Sequence, residues 1–162
     1  MRATMPILLF ALFSFAAQAQ KADPGKSKGE SDPALKALGA LSAAQMYSQY
    51  VLIGVTADAY ANKVYEPKQV QEMINEARGI MANVSKNLTA VGKDGSIVQN
   101  DRVFIMRIQS VFQLLDKQAN ALVAFTQDDN SDNRAAFEAA RKSSWDAISG
   151  VLGIGKKGTT KK

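Results

Sequence analysis

The stretch that decides the fold is residues 70–91, VQEMINEARGIMANVSKNLTAV. Its apolar residues are separated alternately by four and by three positions, at Val70, Ile74, Ala77, Met81, Val84, Leu88 and Val91. This spacing places them in one stripe along an α-helix, opposite a polar face. The sequence therefore predicts an amphipathic helix over about residues 68–91, with one side buried.

Three further segments repeat apolar residues every third or fourth position. The first is predicted over residues 33–65, because Pro33 suits a first helical turn and Pro67 disfavours helical backbone at the residue before it. The others are expected at about 97–126 and 132–152. No sustained stretch alternates strictly between apolar and polar residues, so the fold class is all-α.

Short connections between four long helices predict an up-down-up-down antiparallel four-helix bundle over residues 33–153. The alternative is a three-helix bundle with the first helix set apart. Against it, apolar residues of the first helix point in every direction, and such a helix needs to be covered. We therefore favour the four-helix arrangement.

The two ends of the chain have a different composition. Residues 1–19 carry Arg2, an apolar run of eleven residues and Ala17-Gln18-Ala19, which is typical of a signal peptide cleaved after Ala19. Eleven apolar residues are too few to span a bilayer, so a retained membrane anchor is the less favoured alternative. We expect an exported protein, periplasmic or secreted, with disordered segments at 20–32 and 154–162.

The chain contains no Cys and no His. Disulfides, Cys/His metal sites, His-ligated haem and imidazole- or thiolate-based catalysis are thereby excluded. We expect no cofactor and no catalytic residues, although carboxylates, Tyr, Ser and Lys keep enzymatic chemistry open as an alternative.

The polar run at 127–133, QDDNSDN, separates the third and fourth helices. Its oxygen side chains at Asp128, Asn130 and Asp132 have the spacing that opens a calcium loop, but positions 133 and 139 lack the required Gly and Glu. A turn in which residue 131, 132 or 133 caps the fourth helix is the preferred interpretation. A weak cation site is the alternative.

The first helix holds all four tyrosines of the protein. Tyrosine combines a large apolar body with a polar tip, which suits ligand pockets and interfaces. Gly54 is small enough to let another backbone approach, and Asp58 is an isolated acid in an apolar stretch. The candidate binding residues are Tyr47, Tyr50, Ile53, Gly54, Asp58, Tyr60 and Tyr65. Their partner would be another protein, a second copy of the chain or a small apolar ligand, unless the helix is simply the most central one in the bundle.

The formal charge of +5 is concentrated in the tail, because residues 33–153 contain equal numbers of basic and acidic residues. Four lysines, Lys156, Lys157, Lys161 and Lys162, lie beyond them. A bundle without net charge argues against nucleic-acid binding. The expected function is a non-enzymatic binding module. The alternatives are docking of the tail on anionic envelope material and a holdase-like chaperone.

Overall fold

A computed structural model describes residues 33–154, which form four α-helices. They are α1 (Pro33–Ala61), α2 (Pro67–Gly92), α3 (Gln99–Gln127) and α4 (Ser131–Leu152). The described residues contain no strand, which confirms the all-α class. The predicted signal peptide, the segment 20–32 and the four tail lysines lie outside the described residues.

The helices pack around one hydrophobic core, and α3 contacts each of the other three. The stripe predicted for α2 supplies Val70, Ile74 and Met81 to this core. Met46 and Ile53 of α1, both fully buried, belong to the same cluster. The alternative in which the first helix stands apart from a three-helix bundle is therefore wrong.

The end of α1 differs from the prediction, because the helix stops at Ala61 instead of about residue 65. The amide of Val64 donates to the carbonyl of Ala59 at 2.8 Å, and Lys63 adopts a left-handed backbone with φ of 59°. These are features of a Schellman-type helix end, which reverses the chain. Pro67 constrains only the residue before it, so the proline could not reveal this earlier stop.

The start of α4 also differs by one residue. Asn130 is the N-cap, and its side-chain oxygen accepts from the amide of Asn133 at 2.8 Å. Residues 131–133, expected as caps, already belong to the helix. None of the four helices in the described part of the chain is long and apolar enough to cross a membrane.

Candidate functional site

The seven candidate residues of the first helix region lie on different sides of it. Ile53 and Gly54 are buried, whereas Tyr47 and Asp58 are exposed. Tyr50, Tyr60 and Tyr65 are half-buried and pack against the core. Among the four tyrosines, Tyr47 is the most exposed, with about half of its surface accessible (49%).

Tyr50 belongs to a cluster that joins α1 to α4. Its ring centroid lies 5.4 Å from that of Trp145, and its hydroxyl oxygen accepts a hydrogen bond from the Arg141 guanidinium. Arg141 also pairs with Asp58, with 3.4 Å between Nη1 and Oδ1. Partial burial disfavours the charged guanidinium, but the hydrogen bond with Tyr50 and the carboxylates of Asp58 and Glu138 outweigh it and hold the pKa of Arg141 above its usual range.

Gly54 faces the same arginine. A Cβ at this position would lie 3.3 Å from Nη2 of Arg141. The missing side chain therefore makes room for a guanidinium of α4, and not for another backbone as its small size predicted. Asp58, in turn, has a solvent-accessible carboxylate with a cationic partner, so it is not a buried acid.

Tyr60 is held at the far end of α1. Its ring meets Phe125 of α3 edge-on, with centroids 5.3 Å apart, and the guanidinium of Arg134 lies 5.2 Å from the Phe125 centroid. Burial raises the pKa of Tyr60 above its ordinary value, and the carboxylate of Asp129 adds to this effect while Arg134 opposes it. Tyr60 thus contributes to internal packing.

Within residues 33–154, the solvent-facing side of α1 is an unusual surface. Leu41 is 71% exposed, Val55 59%, Tyr47 49% and Val51 39%. No charged residue occurs in α1 between Lys36 and Asp58. We call the uncharged exposed residues of this side the α1 outer face: Ala37, Ala40, Leu41, Ala44, Tyr47, Ser48, Val51 and Val55.

The opposite side of α1 buries polar residues. Ser42, Gln49 and Thr56 are seven positions apart and are at most 4% exposed. Among the described residues, the Gln49 Oε1 and Thr56 Oγ1 atoms have no hydrogen-bond partner, and the same holds for the side chains of Gln118 and Ser144. Part of the apolar surface of α1 therefore faces solvent, while polar side chains of the same helix face the core. The prediction from the tyrosines did not include this inversion.

Two cavities flank α3. One, of about 370 Å³, lies between the starts of α1 and α3, with Leu38, Phe104 and Ile108 in its wall and Lys36 and Asp101 at its polar edge. The other, of about 460 Å³, lies between α2 and α3 beside the Arg78–Asp116 ion pair. Neither is lined by a tyrosine, so neither is a ligand pocket formed by the candidate tyrosines.

The loop after α3 is organised by its own hydrogen bonds. Asn130 donates to the carboxylate of Asp128 at 2.6 Å, and the Asn133 side chain donates to the carbonyl of Asp128 at 2.8 Å. Within residues 33–154, no group of three or more Asp or Glu side chains could hold a metal ion.

Comparison with known proteins identifies no relative. No family model matches the chain, and no curated protein or solved structure is significantly similar to it.

Proposed function

We propose that this protein is an exported, non-enzymatic binding module that contacts a protein surface through the α1 outer face. We also propose that the four helices run up-down-up-down and that residues 1–19 are a signal peptide. Localisation in the periplasm or outside the cell is supported by that leader sequence alone.

One observation carries the proposal: α1 leaves an apolar, uncharged side exposed to water. A helix at the surface of a bundle ordinarily carries charged residues on its outer side. The helix α3, also 29 residues long, has five charged residues, whereas α1 has two. Contiguous exposed apolar surface of this kind is typical of interaction sites.

The chemistry of the surface indicates a protein as the partner. Tyr47 offers a large ring with a polar tip, and aromatic residues are enriched in interfaces. The small residues Ala40, Ala44 and Ser48 between the large ones let another side chain approach the helix closely. Because the surface is a convex helix side, it fits a complementary protein surface better than an enclosed ligand.

The helix order is supported by contacts between neighbouring helices. Arg78 pairs with Asp116 at 2.7 Å, and Thr89, farther along α2, bonds with Gln109, which comes earlier in α3, at 2.7 Å. Positions that rise along α2 while they fall along α3 indicate an antiparallel pair. The three connections are three to six residues long, which favours antiparallel neighbours.

The experiment is site-specific photo-crosslinking in the native compartment. A photoreactive amino acid replaces Val55, and in a matched control it replaces Ala136, which is exposed on α4. We expect a protein adduct, identified by mass spectrometry, from position 55 alone, and we expect it to be lost when Val51→Glu is added. Equal labelling from both positions, or no adduct from position 55, would contradict the proposal.

A further inference from the structure

We propose that the partner of the α1 outer face is a second copy of this chain, with the two α1 helices packed antiparallel about a two-fold axis near Ser48. This inference rests on the proposed function and specifies its partner. It is carried by the order of large, small and charged residues along α1.

Large and small side chains along the α1 outer face are arranged so that two copies of the face can fit together. If the two-fold axis passes between residues 47 and 48, each residue of one α1 lies opposite a residue of the other α1. The numbers of two opposite residues then add up to about 95. Val55 then meets Ala40 of the second copy, and Val51 meets Ala44. Both exposed valines therefore face an alanine, and the two-fold symmetry repeats both pairs. Such alternation lets two identical helix surfaces interdigitate.

The two charged residues of α1 also complement each other between copies. Lys36, Tyr47 and Asp58 are eleven residues apart, so at 100° per residue they lie along one edge of the outer face. Antiparallel packing brings Lys36 beside Asp58 of the second copy, and Tyr47 beside its own counterpart. Parallel packing would instead set the charged edges on opposite sides of the contact, with Lys36 level with Lys36 and Asp58 level with Asp58, so that no opposite charges would pair. The only two charged residues of α1 therefore select the antiparallel orientation.

The exposed apolar area of the α1 outer face predicts a weak dimer. The large side chains leave roughly 400 Å² of apolar surface exposed in each copy, about half of what one partner contributes to a standard interface. A contact of this size forms a weak dimer that dissociates on dilution. The uncharged surface between Lys36 and Asp58 adds no like-charge repulsion between the copies.

The test is sedimentation velocity of the leader-free chain from about 1 to about 200 μM. We expect the dimer fraction to rise with concentration, and we expect Val51→Glu to abolish it by placing two carboxylates near the axis. The matched control, Ala136→Glu on α4, leaves the dimer unchanged. A wild-type chain that stays monomeric throughout, or a dimer that survives Val51→Glu, overturns the proposal.

Charge reversal tests the orientation. Lys36→Asp or Asp58→Lys alone should weaken the dimer about tenfold, since each reversal affects two symmetric ion pairs, and the double variant should recover most of the affinity. Because Asp58 also pairs with Arg141, circular dichroism of each variant checks that the helices are retained. A double variant weaker than both single variants overturns the antiparallel arrangement.

Cross-linking at the axis gives an independent measurement. The chain has no cysteine, so Ser48→Cys introduces a single thiol, which should form an intermolecular disulfide in the dimer. Ala136→Cys should not. The crosslink at position 55 separates the two proposals. If only self-association is wrong, position 55 still forms an adduct, but with a different protein. If the proposed function is wrong, position 55 forms no adduct.

Discussion

Thr56 is fully buried, and its hydroxyl has no hydrogen-bond partner within residues 33–154. An unpaired buried hydroxyl costs free energy that an apolar group of the same shape does not. We therefore predict that Thr56→Val increases the free energy of unfolding by about 1 kcal/mol, as measured by urea denaturation. A decrease of similar size would mean that the hydroxyl has a partner.

At Tyr60, burial favours the neutral phenol and raises its pKa. A group with a raised pKa in the folded state contributes stability that is complete below its unfolded pKa of about 10 and is lost as pH rises through the folded pKa. Between pH 8 and pH 11, the stability of the wild type should fall more steeply than that of Tyr60→Phe, which keeps the ring on Phe125. Parallel pH profiles of the unfolding free energy would contradict this.

At the scale of the element, α2 contains a glycine with no structural need. Gly79 is exposed within the helix, and a Cβ there would meet nothing within 4 Å. We predict that Gly79→Ala stabilises the protein by about 0.5–1 kcal/mol through helix propensity. Gly39→Ala should gain less, because its Cβ would lie 3.1 Å from the Phe104 ring. Equal gains in chemical denaturation would argue against the close Gly39–Phe104 contact.

The end of α1 places a lysine where glycine is favoured. Lys63 has a left-handed backbone, which is strained for a residue with a Cβ. Lys63→Gly should therefore raise the unfolding free energy by about 0.5–1 kcal/mol. Lys63→Ala serves as the control, because it removes the side-chain charge but retains the strain. A stabilisation by Ala as large as that by Gly would assign the effect to charge.

Sequence and structure agree best where an element has one apolar side and capping residues. The stripe of α2 and the polar run before α4 fixed those helices to within a residue or two. In α1 the apolar residues point everywhere, so periodicity could not determine which side faces the core. Packing against α3 and α4 buries the Ser42, Gln49 and Thr56 side, and this choice depends on neighbours that local sequence does not specify.

For the whole molecule, the prediction of a binding surface on the first helix stays a proposal. The candidate residues do not form one surface, because some lie on the α1 outer face and others pack internally. Tyrosine content pointed to Tyr47, which lies on the α1 outer face, and equally to Tyr50 and Tyr60, which pack internally. Leu41 and Val55 were missed as site residues because aliphatic residues in a helix are ordinarily core. Their exposure is a property of the assembled bundle.

The central claim is that the α1 outer face is free in the folded chain and serves binding. Its most direct test is the unfolding free energy of Val55→Glu at about 1 μM protein. Beside it, a photoreactive amino acid placed at position 51 is tested for a protein adduct with and without Val55→Glu. A free face predicts a change within about 0.5 kcal/mol, as for other exposed positions, together with loss of the adduct. A loss of about 2 kcal/mol or more would show that Val55 is packed within the chain, and would contradict the claim.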